Sequence, residues 1–410
     1  MFSEGLQREV KALDYTTFSI VPKGSIALSL LANISPLASE PMVSSADQTM
    51  SGGAFPDPET MHGQSGTPSV AQRAVEAIMS IVAAQKDDVS VSVEAKGENV
   101  SVKTGNGNDE INVNAQSVQH IYAGDGDDSL RIMTRGEKVF DIFGYRRASV
   151  ENVEGGAGND RISIDSHAGV RNVDGSSGSD EITIVSSSVQ SDGPESAAPA
   201  DLIELVYGGS GDDTISIRSS GSVMSTYGGD GDDLIEIEAN GAAFITGGAG
   251  NDTIHLQSSG SYIGGGDGND HIIIESERDR ISTIVFSKGS DLLEIDGAVS
   301  IVGLARGKDP FDLSDVTIER VAPDTIVLGK KSRAEDRLTI RFSGEMASAD
   351  ALEFELDSAR NLVIRAAGTD IQSLIKGQLK IDAETNEWTT LSIERRIIEL
   401  PPSVARNQPE

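Results

Sequence analysis

An all-β solenoid is the fold class this sequence predicts, and three observations predict it. A six-residue glycine and aspartate pattern recurs nine times at near-regular spacing. Each copy is followed by apolar residues at alternate positions. Only 4% of the residues are aromatic, too few for a large aromatic core. A repeat of about 19 residues that alternates turns with short strands stacks coil on coil, because one coil cannot bury its own apolar face.

Composition narrows the function classes. The 410 residues carry a net charge of −32 and a pI near 4.4, which speaks against nucleic acid as a partner. There is no cysteine, so disulfides, thiolate metal sites and cysteine nucleophiles are excluded. With glycine included the apolar share is about 48%, an ordinary figure in which glycine stands in for bulky side chains. The apolar stretch Ile26–Ile34 is far shorter than the roughly 20 residues of a membrane span. Its long, mixed-charge flank argues against a cleaved leader ending near Ala38.

Residues 1–66 mix Ser, Pro, Gly and Met without a sustained period and read as a mostly disordered segment. A capping helix is expected over 67–87, with Thr67 as N-cap, Pro68 in the first turn and Ala71, Ala74, Val75, Ile78 and Val82 on one face. From Val89 the period becomes two, and residues 88–297 read as the solenoid.

The nine turns begin at Thr104, Ala123, Gly155, Gly175, Gly208, Gly228, Gly247, Gly265 and Phe286. All have glycine at their fourth position and aspartate at their sixth. Two apolar residues follow each aspartate, as in Ile235 and Ile237 after Asp233. Successive aspartates lie 19, 32, 20, 33, 20, 19, 18 and 21 positions apart, so two coils hold insertions of about 13 residues. Those insertions, Arg135–Arg147 and Ser186–Ala200, follow the strand after the aspartate and are expected to bulge from the opposite edge. That edge carries Ser, Gly and Asn turns instead, so the aspartates stack on one side only. A β-rich C-terminal module over 298–400 is expected to cap the stack, followed by a tail over 401–410.

Glycine at alternate turn positions turns carbonyl oxygens inward, and the aspartate adds a carboxylate. Calcium takes six to eight such oxygens, more than one short turn supplies, so neighbouring turns would share each ion. Zinc and copper fit poorly, since the five histidines are scattered and cysteine is absent, whereas magnesium prefers a compact octahedron. Tyr207–Glu275 holds eleven acidic residues against the single base Arg218, and repels itself unless cations intervene.

These turns resemble the G-G-x-G-x-D-x-U-x nonapeptide repeats of the RTX (repeats-in-toxin, haemolysin-type) calcium-binding proteins, best in Gly208–Ile215, Gly228–Ile235, Gly247–Ile254 and Gly265–Ile272. The resemblance implies a right-handed parallel β-roll, calcium as the bound ion, and a secreted protein exported by type I secretion from a Gram-negative bacterium. It places Asp109, Asp128, Asp160, Asp180, Asp213, Asp233, Asp252, Asp270 and Asp291 on the family's ligand position. The usual roll has glycine turns on both edges, whereas this chain has them on one, which halves the calcium count. Gly175–Asp180 lacks the second glycine and Phe286–Asp291 lacks both of the first pair, so weaker sites are expected there.

No enzyme site is expected: H-E-x-x-H and G-x-S-x-G are absent, and residues 1–86 are too short and polar for a typical catalytic domain. Only Ala71–Ala84 resembles a membrane-active helix, which argues against a pore former. Threonine is missing at the third turn position, which argues against ice binding. The expected function is that of an exported protein that folds on binding calcium and serves a structural, adhesive or host- and cell-surface interaction role. The alternative is a secreted effector or enzyme-like toxin whose active region lies outside the repeats.

Overall fold

The computed structural model describes residues 16–22, 86–95, 100–135, 149–187, 202–258, 262–276, 282–297, 301–305, 315–322, 324–343, 352–356, 362–366, 380–381 and 388–389. Every regular element in its strand order is a β-strand. The expected helix over 67–87 lies, but for its last two positions, outside the described residues, as do the tail and most of both insertions. None of the described residues forms a helix long and apolar enough to cross a membrane.

Alternation of β-branched and polar residues makes the strands, because branched side chains pack well on a pleated surface. In Leu234–Ala242, Ile235 and Ile237 point inward while Glu236 and Glu238 face solvent. Each coil has one strand leaving the glycine turn and one returning to it. The leaving strands, from Glu110–Ala115 to Ser290–Gly297, pair in parallel with their counterparts in the next coil. The returning strands, from Val100–Lys103 to Ile301–Ala305, do the same. The result is a stack of parallel strands consistent with a β-roll or solenoid.

The register turns the alternating pattern into columns. Ile111, Leu130, Ile162, Ile182, Ile215, Ile235, Ile254, Ile272 and Leu293 align coil to coil, all nearly inaccessible to solvent. Ile121, Val153, Val173, Val206, Thr226, Ile245, Ile263 and Ile284 form the facing column. Each buried Ile or Leu contributes roughly 1.5–3 kcal/mol, and a one-residue slip would turn the whole column outward.

Both ends are covered. Thr16–Pro22 lies antiparallel on Val89–Ala95, which itself pairs in parallel with Glu110–Ala115. This strand lies within residues 1–66, the rest of which is outside the described residues. Its partner is some 70 positions away, so no local period announces it. At the other end Val316–Ala322, Thr325–Lys330 and Arg337–Phe342 form an antiparallel meander. Its last strand joins the solenoid in parallel beside Ser290–Gly297.

Neither insertion breaks the stack. Leu130 pairs with Ile162 and Ile182 with Ile215, in the same register as uninterrupted coils. The undescribed stretches begin after Arg135 and Ser187, on the edge opposite the glycine turns. A cluster of hydroxyls closes that edge around the first of them: Ser149 lies 2.8 Å from Thr134 Oγ1 and 2.6 Å from Ser166 Oγ, and Ser186 Oγ donates to Ala168 O at 3.0 Å.

One polar residue interrupts an apolar column. Thr226 is fully buried between Val206 and Ile245, and its Oγ1 has no hydrogen-bond partner. Thr226→Val keeps the shape and removes the unsatisfied hydroxyl. A gain of about 1 kcal/mol is expected, read as a higher denaturant midpoint at unchanged m-value.

Candidate metal centre

Each glycine turn folds the same way for two separate reasons. The fourth-position glycine, from Gly107 to Gly289, has φ between 114° and 145° in all nine turns, a region closed to residues with a Cβ. The first-position glycine has no such dihedral and is needed for room. A methyl group at Gly155, Gly175, Gly208, Gly228, Gly247 or Gly265 would overlap Oδ2 of the aspartate in its own turn. At Gly175, Gly208 and Gly228 it would also press on the first-glycine carbonyl of the next turn, at 2.5–2.6 Å. A small cradle thus lies at each of these six turns, walled by the turn's own carboxylate and, at Gly175, Gly208 and Gly228, by the next turn's carbonyl.

All nine predicted aspartates come together in one continuous row, each at most 4% exposed. The backbone N–H of each donates to Oδ1 of the next: Asp109 to Asp128 at 2.7 Å, Asp128 to Asp160, Asp160 to Asp180, Asp180 to Asp213 and Asp213 to Asp233 at 2.8 Å, Asp233 to Asp252 at 2.9 Å, Asp252 to Asp270 at 3.0 Å and Asp270 to Asp291 at 3.2 Å. Asp128 and Asp160, 32 positions apart, are therefore as close as any other neighbours.

The second carboxylate oxygen is treated differently. Oδ2 of Asp160, Asp180, Asp213, Asp233, Asp252 and Asp270 is buried with no hydrogen-bond partner. A buried anionic oxygen left this way carries a large desolvation penalty. Burial accordingly pushes Asp160 and Asp213 up to about 7, and Asp180, Asp233, Asp252 and Asp270 to about 6, with neighbouring carboxylates adding to the shift. Asp291 differs, since its Oδ2 accepts from Ser287 Oγ at 3.2 Å. This is the turn whose first two positions are Phe286 and Ser287.

This donor set fits a hard cation. Among the described residues no three His, Asp or Glu side chains gather into a metal-binding group, so any ion held here draws on backbone carbonyls as well. Carboxylate and carbonyl oxygens suit calcium, and the turn-to-turn repeat supplies them from both sides of each cradle. Two described histidines stand elsewhere: His255 and His271 pair with Glu275 and Glu294 on the outer face.

A second ladder went unread in the sequence. Asp127 N–H donates to Asn108 Oδ1 at 3.0 Å, Asn159 to Asp127 and Ser179 to Asn159 at 2.8 Å, Asp212 to Ser179 Oγ at 3.1 Å, Asp232 to Asp212 at 2.9 Å, Asn251 to Asp232 at 2.6 Å, Asn269 to Asn251 at 3.0 Å and Ser290 to Asn269 at 2.9 Å. These are the fifth turn positions, and Asn, Asp or Ser occupies every one. That regularity was the available signal.

Comparison with family models matches the RTX calcium-binding nonapeptide repeat in four copies, over residues 149–163, 203–216 and 239–272. The chain carries RTX-type repeats. Comparison with curated proteins finds no match.

Two predictions follow from the row's geometry. Asp233→Ala removes a carboxylate from the middle of the row and strands the Asp213 N–H, costing about 1–3 kcal/mol and weakening calcium uptake. Asp291→Ala should weaken uptake less, and Gly228→Ala should weaken it by filling the cradle; calcium titration of the three variants checks the order. The raised carboxyl pKa values also set a pH dependence. The folded, ion-free protein holds more protons than the unfolded chain between about pH 4 and 7, so its stability falls as pH rises through that window. In chelator, the solenoid should melt at higher temperature at pH 5 than at pH 8, and saturating calcium should remove the difference.

Proposed function

We propose that this chain is an exported calcium-binding protein of the RTX type, whose solenoid closes when calcium enters the aspartate row. The observation that carries this reading is the run of buried, unpartnered Oδ2 atoms facing the first-glycine cradles. Asp109, Asp128, Asp160, Asp180, Asp213, Asp233, Asp252 and Asp270 would hold the ions together with turn carbonyls, between neighbouring turns. Calcium supplies the positive charge that lets these carboxylates stay ionised while buried.

Export rests on the family, whose members are generally secreted proteins. With no cysteine in the sequence, calcium would take the stabilising part that disulfides play in many secreted domains. In the calcium-loaded state the solenoid would be a rigid rod serving a structural or adhesive role toward a cell or host surface. We read its coils as right-handed, the hand of nearly all parallel crossovers. We assign it no catalytic centre, as the sequence holds neither the zinc-protease nor the nucleophile-elbow pattern.

Circular dichroism tests the folding claim directly. At pH 8, where the row is ionised, β-sheet signal should fall when calcium is chelated and return on adding it, and unchanged signal would refute the reading. For export, secretion should be lost when residues 366–410 are deleted. Undiminished secretion of that truncated chain would place the signal elsewhere.

A further inference from the structure

Beyond the last glycine turn the pattern of the row changes. Eight turns are each followed by another glycine turn, but the ninth, Phe286–Asp291, is followed by the Arg337–Phe342 strand of the C-terminal meander. Phe286 fills the place of the first glycine and is buried. Lys330 arrives from the meander with its side chain only 9% exposed. Its Nζ donates to Ser287 O at 3.3 Å, pairs with Asp336 Oδ2 at 2.9 Å and lies 4.6 Å from the centre of the Phe286 ring. Asp336 is itself buried, and its Oδ1 accepts the Gly289 N–H at 3.3 Å.

We infer that the Lys330 ammonium is a tethered cation that closes the aspartate row at its C-terminal end, holding by charge the gap that calcium would hold between glycine turns. This deepens the calcium reading, on which it rests. Three features carry it. The ammonium touches a second-position turn carbonyl and a buried carboxylate, the same kinds of oxygen that line the other gaps. The run of unpartnered Oδ2 atoms stops at Asp270, one turn before Lys330. Phe286 leaves no first-glycine cradle and offers a ring face to the cation instead. A lysine brings its charge without a dissociation step, so the meander docks on the ninth turn whether or not calcium is present.

Hydrogen exchange on the full chain, read by mass spectrometry, tests this. In chelator, the wild-type segment 337–342 should exchange roughly tenfold more slowly than the turns around Asp213–Asp270. Lys330→Met keeps the apolar stem but removes the charge, and should erase that protection; Lys330→Arg should keep it. A second measurement needs no variant. In saturating calcium Lys330 should resist amine acylation while the exposed Lys288 reacts. Equal labelling of the two lysines would mean that calcium displaces the ammonium and would overturn the inference. So would unchanged exchange in Lys330→Met, which would reduce the residue to packing. If the wild type takes up no calcium at all, the calcium reading falls first. If it binds calcium and Lys330→Met is silent, only the role of Lys330 falls.

Discussion

Everything in this molecule turns on nine aspartate carboxylates stacked out of water along one edge of the coil stack. A buried carboxylate needs hydrogen bonds and a counter-charge. Its own chain supplies the first through the N–H of the aspartate one coil away. For the central turns the second must come from outside, and the raised carboxyl pKa values are the mark of that shortfall. The fold is thus specified by apolar columns but electrostatically incomplete without cations. On the calcium reading proposed above, that combination would make folding depend on an ion rather than merely tolerate one.

The two ladders at the turn edge run in opposite senses. At the sixth position each N–H reaches forward to the next coil, and at the fifth each reaches back to the preceding one. Every coil is therefore tied to both neighbours through side chains as well as through the strand ladder. The inner ladder is strictly aspartate, because its second oxygen faces the cradle. The outer one accepts Asn, Asp or Ser, because it needs only an acceptor. Turn length is fixed by this double stitching, which explains why variation in coil length is pushed to the far edge, where hydroxyls close the structure.

Much of this was legible from residues alone. The nine aspartates, the apolar pairs behind them and the displacement of both insertions to the opposite edge all follow from spacing, since turn and strand are local and the period repeats them. What stayed hidden is non-local or cooperative. Thr16–Pro22 finds its partner at Val89–Ala95, and Lys330 meets Ser287 across 43 positions. No repeat marks either. The division of labour between the first and fourth glycines was hidden for another reason. Both are simply Gly in the sequence, and only the backbone separates the one chosen for its dihedral from the one chosen for the space beside Asp233 Oδ2.

Because the insertions leave the register untouched, the sixth-position carboxylates stand one per coil, about 4.8 Å apart along the stack. In water two unit charges interact with thermal energy at about 7 Å, which is farther than that spacing. The edge is then a linear polyelectrolyte as well as a row of sites, and Asp125, Asp127, Asp212, Asp230, Asp232 and Asp267 thicken its charge on the outside. Above about pH 7, where the buried carboxyls are ionised, such a line would condense an atmosphere of counterions before any ion is bound in place. Divalent ions would enter by displacing that atmosphere, so monovalent salt would compete along the whole edge at once rather than cradle by cradle.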